Sequence, residues 1–123
     1  LALHELADAP LIGLSNADPL FARLDSYLKT IEPPPRISIA VQTYSLARAM
    51  VESGAGLAVI DPFTALGASR ASTLIRPLSP ALPITLYALT RADEAPAHTL
   101  EGLLELFAER AGEQLQRLQG EDS

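Results

Sequence analysis

Residues 37–64 read ISIAVQTYSLARAMVESGAGLAVIDPFT. An apolar strand over residues 36–41 runs into a short polar turn at Gln42. Thr43 or Tyr44 then opens an amphipathic helix whose apolar positions are Leu46, Ala47, Met50 and Val51. Gly54 suits the left-handed position that closes a helix, and Gly56 adds a second flexible point before an apolar strand over residues 57–60. Asp61-Pro62 follows, with Asp in the place that caps a helix start and Pro at the first helical position, where its missing amide costs no bond. Strand, helix, strand and helix start in this order predict a parallel sheet. The carboxyl ends of its strands deliver the chain to helix starts along one edge, the edge where ligands collect.

The flanking sequence repeats the pattern. Residues 9–14 (APLIGL) form a strand-length apolar run, and Asp18-Pro19 repeats the Asp-Pro device. Leu20, Phe21, Leu24, Leu28 and Ile31 recur at helical spacing, and Pro33-Pro34-Pro35 ends that helix. After Asp61-Pro62 a short helix is expected to about Ala68, then a fourth strand over residues 73–76 and a fifth over residues 84–89 (ITLYAL). Residues 91–96 are polar and irregular, the best linker. Beyond them Leu100, Leu103, Leu104, Phe107, Ala111, Leu115 and Leu118 mark one face of a long helix. The expected fold class is α/β, a mostly parallel five-stranded sheet flanked by helices with a carboxyl-terminal amphipathic helix added.

Composition narrows the chemistry. The 123 residues contain no cysteine, which excludes disulfides and cysteine-based metal or nucleophile chemistry. His4 and His98 lie far apart with no ligand spacing, so no metal or other cofactor is expected. The net charge is −6, and the eight arginines and one lysine are scattered singly. Nucleic acid demands clustered cations, so this stretch alone should not bind DNA. No apolar run approaches the roughly 18 residues of a membrane helix, and no secretion-type start is visible. The first residue is Leu1, not methionine, as in a processed product or a piece of a longer protein.

Three strand exits are expected on one rim: Ser15-Asn16, Gln42-Thr43-Tyr44-Ser45 and Asp61 to Thr64. Their helix starts offer unpaired amides suited to a carboxylate, and Thr43 and Ser45 carry the best hydroxyls for such a ligand. Each residue also suits ordinary capping, and for Asp61 the cap is the preferred reading over a role in holding an ammonium or guanidinium. Phe63 suits an apolar wall or the core. Glu101, Glu105 and Glu109 follow the spacing of a solvated helix face, and Arg36, Arg48 and Arg70 read as isolated surface residues.

Residues 42–62 (QTYSLARAMVESGAGLAVIDP) resemble the effector-binding domain of LysR-type transcriptional regulators, in which a ligand-lined turn precedes a helix, an Ala-Gly-x-Gly-like pattern and a strand ending in proline. Leu6-Ala7-Asp8-Ala9-Pro10-Leu11-Ile12, then Asp18-Pro19-Leu20, and downstream Ile75-Arg76-Pro77-Leu78, the 84–89 run and the closing helix follow the family's order. Asp61-Pro62-Phe63-Thr64-Ala65 resembles members that sense amino acids or opines. The resemblance implies that residues 1–90 form the second lobe of a domain like a type II periplasmic binding protein. Residues 91–123 would be a linker and a helix that returns to the first lobe.

It implies further a small-molecule effector held at the turn of Gln42, Thr43, Tyr44 and Ser45, to which the shared rim adds Asp61, Phe63, Thr64, Ser15 and Asn16 as candidates. DNA would be contacted only through a helix-turn-helix outside this sequence, in a bacterial cytoplasm and away from membranes. The helix, separated from the first lobe, would expose its apolar face and drive homo-oligomerisation. A periplasmic solute-binding lobe is the alternative. An enzyme is the least supported, because no nucleophile elbow, phosphate loop or metal cluster occurs.

Overall fold

A computed structural model describes residues 1–15, 18–93 and 97–120. Three strands, β1 (Pro10–Leu14), β2 (Arg36–Val41) and β3 (Leu57–Ala58), form one sheet in the order β2-β1-β3. Both pairings are parallel: Leu11 and Ile12 of β1 lie opposite Leu57 and Ala58 on one side, and β1 pairs along its whole length with β2 on the other. The helices between them are α1 (Pro19–Leu28) and α2 (Tyr44–Glu52), and α3 (Pro62–Leu66) follows β3.

Successive residues of a strand face opposite ways, and β1 shows what this does to packing. Leu11 is fully buried in a cluster with Leu3, Leu6, Leu24, Leu28 and Ile31, which joins α1 and the turn Leu3–Leu6 to one face of the sheet. Its neighbour Ile12 packs with Val41 and Ala47 instead, bringing α2 against the other face. Burial of β1 on both faces explains why it is apolar throughout instead of alternating, whereas the edge strand β2 stays largely exposed.

The local punctuation works as the sequence suggests. Asp18, Thr43 and Asp61 are the caps of α1, α2 and α3, and their side chains accept from Phe21 N, Leu46 N and Thr64 N. At the end of α2, Gly54 has φ +86, with Gly54 N donating to Val51 O and Ala55 N to Met50 O. This is the left-handed closure that a Cβ would oppose. Gly56 is needed for a further reason: a Cβ there would stand 2.6 Å from Pro10 O, the backbone beside which β3 begins.

The sheet has three strands, not the five expected. Residues 73–76 run without ladder partners, and Leu74 is 77% exposed. Residues 84–89 are also unpaired, with Leu86, Tyr87 and Leu89 exposed. Apolar, strand-favouring residues make a strand only where a neighbouring backbone supplies the other half of the ladder. Residues 77–82 instead fold back on the amino end, where Leu1 N donates to Pro77 O. Leu3 N donates to Ser79 O and Ser79 N to Leu1 O, making a single parallel bridge between Ala2 and Ser79. Leu78 and Leu82 pack on the Leu11 cluster.

The chain divides into two compact units, Leu1–Pro83 and Ile84–Ser123. The second contains α4 (His98–Gly120), a helix of 23 residues with none buried. Its glutamates Glu101, Glu105 and Glu109 are exposed, as their spacing suggests, and His98 stands fully exposed at its start.

Candidate functional site: the rim at the carboxyl edge of the sheet

Because all three strands run the same way, their carboxyl ends share one edge. The order β2-β1-β3 sends the chain from β1 to one side through α1, then back across β1 to the other side through α2. Strand order therefore reverses beside β1, the position at which open α/β sheets leave a crevice for ligands.

Contacts link the three exits. Ser15 N donates to Val41 O at 2.8 Å and Ser15 Oγ donates to the same oxygen at 3.2 Å, tying the end of β1 to the end of β2. The Tyr44 hydroxyl, at the first position of α2, donates to Asp18 Oδ2, the same oxygen that caps α1 through Phe21 N at 2.7 Å. Tyr44 is half-buried. Its phenol is pushed far above the usual tyrosine value, by burial first, then by the hydrogen bond to Asp18 and the negative charges of Asp18 and Asp61. The Tyr44–Asp18 bond thus joins the starts of α1 and α2, and the charge of Asp61 at the start of α3 also acts on Tyr44.

The expected site residues differ in how far their polar groups are already used. Thr43 Oγ1 accepts from Leu46 N at 3.1 Å, which leaves its hydroxyl proton for another partner. Ser45 is exposed on the first turn of α2. Asp61 accepts from Thr64 N at 2.9 Å and from the Thr64 hydroxyl, so it caps α3, as preferred from the sequence, and Thr64 is committed to it. Phe63 is half-buried beside them and Gln42 is exposed. Asn16 lies outside the described residues.

Two residues do more than their sequence context suggests. Asp18, a helix cap by its place before Pro19, also holds Tyr44 across 26 positions, and nothing local in the sequence signals that contact. Arg48, isolated among the cations of the sequence, is half-buried and not a free surface residue. Its Nη1 donates to Thr64 O at 3.2 Å, and its Nε lies 3.7 Å from Glu52, which in turn accepts from Ser69 N. Arg48 therefore braces α2 against α3 behind the rim.

The rim has a chemical polarity. Proline at the start of α1 and α3 removes one amide from each, and the Asp caps occupy another while adding negative charge. The start of α2 has neither: Tyr44 N and Ser45 N, in the first turn of a helix capped by neutral Thr43, are donors without intrahelical partners. The start of α2 offers donors to an anion, and the Asp61 carboxylate, whose charge reaches Tyr44, offers an acceptor to a cation. Among the described residues no group of His, Asp and Glu could hold a metal ion, and no helix is long and apolar enough to cross a membrane.

Comparison with known proteins agrees with this architecture. A family model described as the LysR substrate binding domain matches residues 1–112. The HTH-type transcriptional regulator DgcR of Pseudoalteromonas sp is 30% identical over 104 residues, covering 85% of this chain. The chain spans 36% of that relative's length. A match over nearly the whole sequence, on a parallel α/β unit with its helix starts gathered at one edge, places the chain in the LysR substrate-binding domain family.

Proposed function

We propose that this chain is the effector-sensing part of a LysR-type transcription regulator, and that its effector is an amino acid or an opine-like zwitterion. The observation that carries the effector class is the polarity of the rim. Tyr44 N and Ser45 N, with the Thr43 and Ser45 hydroxyls, suit a carboxylate, and the carboxylate of Asp61 suits an ammonium. Gln42 and Ser15 flank the same edge, Phe63 would supply an apolar wall, and Thr64 acts by holding Asp61. Asn16 is retained from the sequence.

Residues 1–90 form the second lobe in this reading, and residues 91–123 a linker and helix that return to the first. Capture between the lobes regulates only if the effector binds one lobe arrangement more tightly than the other. DNA contact then belongs to a helix-turn-helix elsewhere in the parent protein, which works in the cytoplasm and carries out no catalytic step. Self-association runs through the apolar face of α4. Both comparisons are with regulators and neither favours the solute-uptake alternative.

Titration calorimetry of the full-length protein tests the effector class, using a panel of proteinogenic amino acids, opines, sugars and aromatic acids. Heat from an amino acid or opine, weakened by Ser45→Ala and by Asp61→Ala, is the expected result. Binding confined to sugars or aromatic acids would overturn the zwitterion.

A further inference from the structure

We propose that Asp18 is a positioning residue for the effector rim: through its bond to the Tyr44 hydroxyl it fixes the turn at residues 42–45 in its binding orientation. This rests on the reading of the rim given above, but it assigns a role to a residue that the sequence presented only as a helix cap. Three observations support it. The same Asp18 oxygen accepts from Phe21 N of its own helix and from the Tyr44 hydroxyl, so the orientation of the carboxylate is set by α1 and passed to α2. Tyr44 is the first residue of α2 and stands between Thr43 and Ser45, the two hydroxyl-bearing residues of the turn. Along the turn the side chain of Tyr44 is half-buried, whereas those of Gln42, Thr43 and Ser45 are exposed.

A fixed carboxylate on a capped helix is a firm point from which to hold an exposed turn. An effector meeting a turn already held does not have to supply the ordering that a loose one would require. Asp18 need not touch the effector for this. Its carboxylate acts through Tyr44, and Thr43 and Ser45 present the groups that meet the ligand.

Amide hydrogen exchange on the ligand-free, full-length protein reads the clasp directly. Leu46 N and Ala47 N bond to Thr43 Oγ1 and Thr43 O, so their exchange reports whether the turn is held. Tyr44→Phe should speed their exchange about fivefold, the order of one lost hydrogen bond. The amide of Ala22, bonded to Asp18 O, should stay unchanged. Asp18→Ala should speed exchange at both helix starts, and Asp18→Asn, which keeps an acceptor oxygen, should restore most of the protection.

For the amino acid that the wild type binds in the panel above, affinity should fall about fivefold in Tyr44→Phe and recover in Asp18→Asn relative to Asp18→Ala. Unchanged exchange at Leu46 and Ala47 in Tyr44→Phe would overturn the proposal. So would an Asp18→Asn variant that binds no better than Asp18→Ala. If no amino acid binds the wild type, the zwitterion reading fails by itself, and the exchange measurement still decides the clasp.

Discussion

Tyr44 carries the clearest single-residue signature in the molecule. Burial, the bond to Asp18 and two nearby carboxylates all oppose the phenolate, so the folded protein holds this proton to higher pH than the unfolded chain does. The sign of the effect on stability follows. Below the unfolded value of 10.0 both states are protonated and the contribution is complete. Above it the unfolded chain releases the proton first, so stability falls as pH rises towards the folded value. Urea midpoints compared at about pH 8 and about pH 11 should drop further in the wild type than in Tyr44→Phe, because the variant lacks the titrating group. Equal drops would mean that Tyr44 is not held as described. Capping at the same place was legible in advance: Asp18, Thr43 and Asp61 each bond three residues onward.

Among the secondary-structure elements, burial separates α1 from α4, although both show apolar residues at helical spacing. Leu24 of α1 is 1% exposed in the Leu11 cluster, whereas Leu103 of α4 is 45% exposed. Leu24→Ala should therefore cost about 2–5 kcal/mol in denaturant unfolding, as expected when a buried leucine leaves a cavity. Leu103→Ala, measured in the Phe107→Glu background that disfavours self-association, should change stability by less than about 0.5 kcal/mol, the range of surface substitutions. Near-equal losses would show that the face of α4 is covered after all. The contrast explains why periodicity alone overcounted the packed elements. An amphipathic pattern states which face of a helix is apolar, and the strand-like composition of residues 73–76 and 84–89 states what a ladder would accept. Neither states that a partner is present.

On the scale of the whole molecule, Leu103, Leu106 and Phe107 of α4 and the strand-like Leu86, Tyr87 and Leu89 leave large apolar side chains in water, where a second copy could cover them. Self-association of this 123-residue chain is therefore predicted. Sedimentation should give a species of at least twice the monomer mass, and Phe107→Glu should shift it towards the monomer. A wild-type chain that stays monomeric at high concentration would refute the oligomer and leave the rim argument untouched. The rim depends only on the unit Leu1–Pro83, where the strand directions are set.

The sequence by itself determined the features that depend on a few neighbouring residues: where helices start and stop, which strands are apolar throughout, and that the polar turns follow the strands. These rest on bonds reaching three or four positions along the chain, so the residue types that make them stand side by side on the page. The tertiary structure alone decided the order β2-β1-β3, the absence of ladder partners for residues 73–76 and 84–89, and the contact of Tyr44 with Asp18. Those depend on which distant segments meet when loops close. That choice is made by the burial of Leu11 on one face of the sheet and Ile12 on the other, a competition among all segments at once that no local pattern encodes.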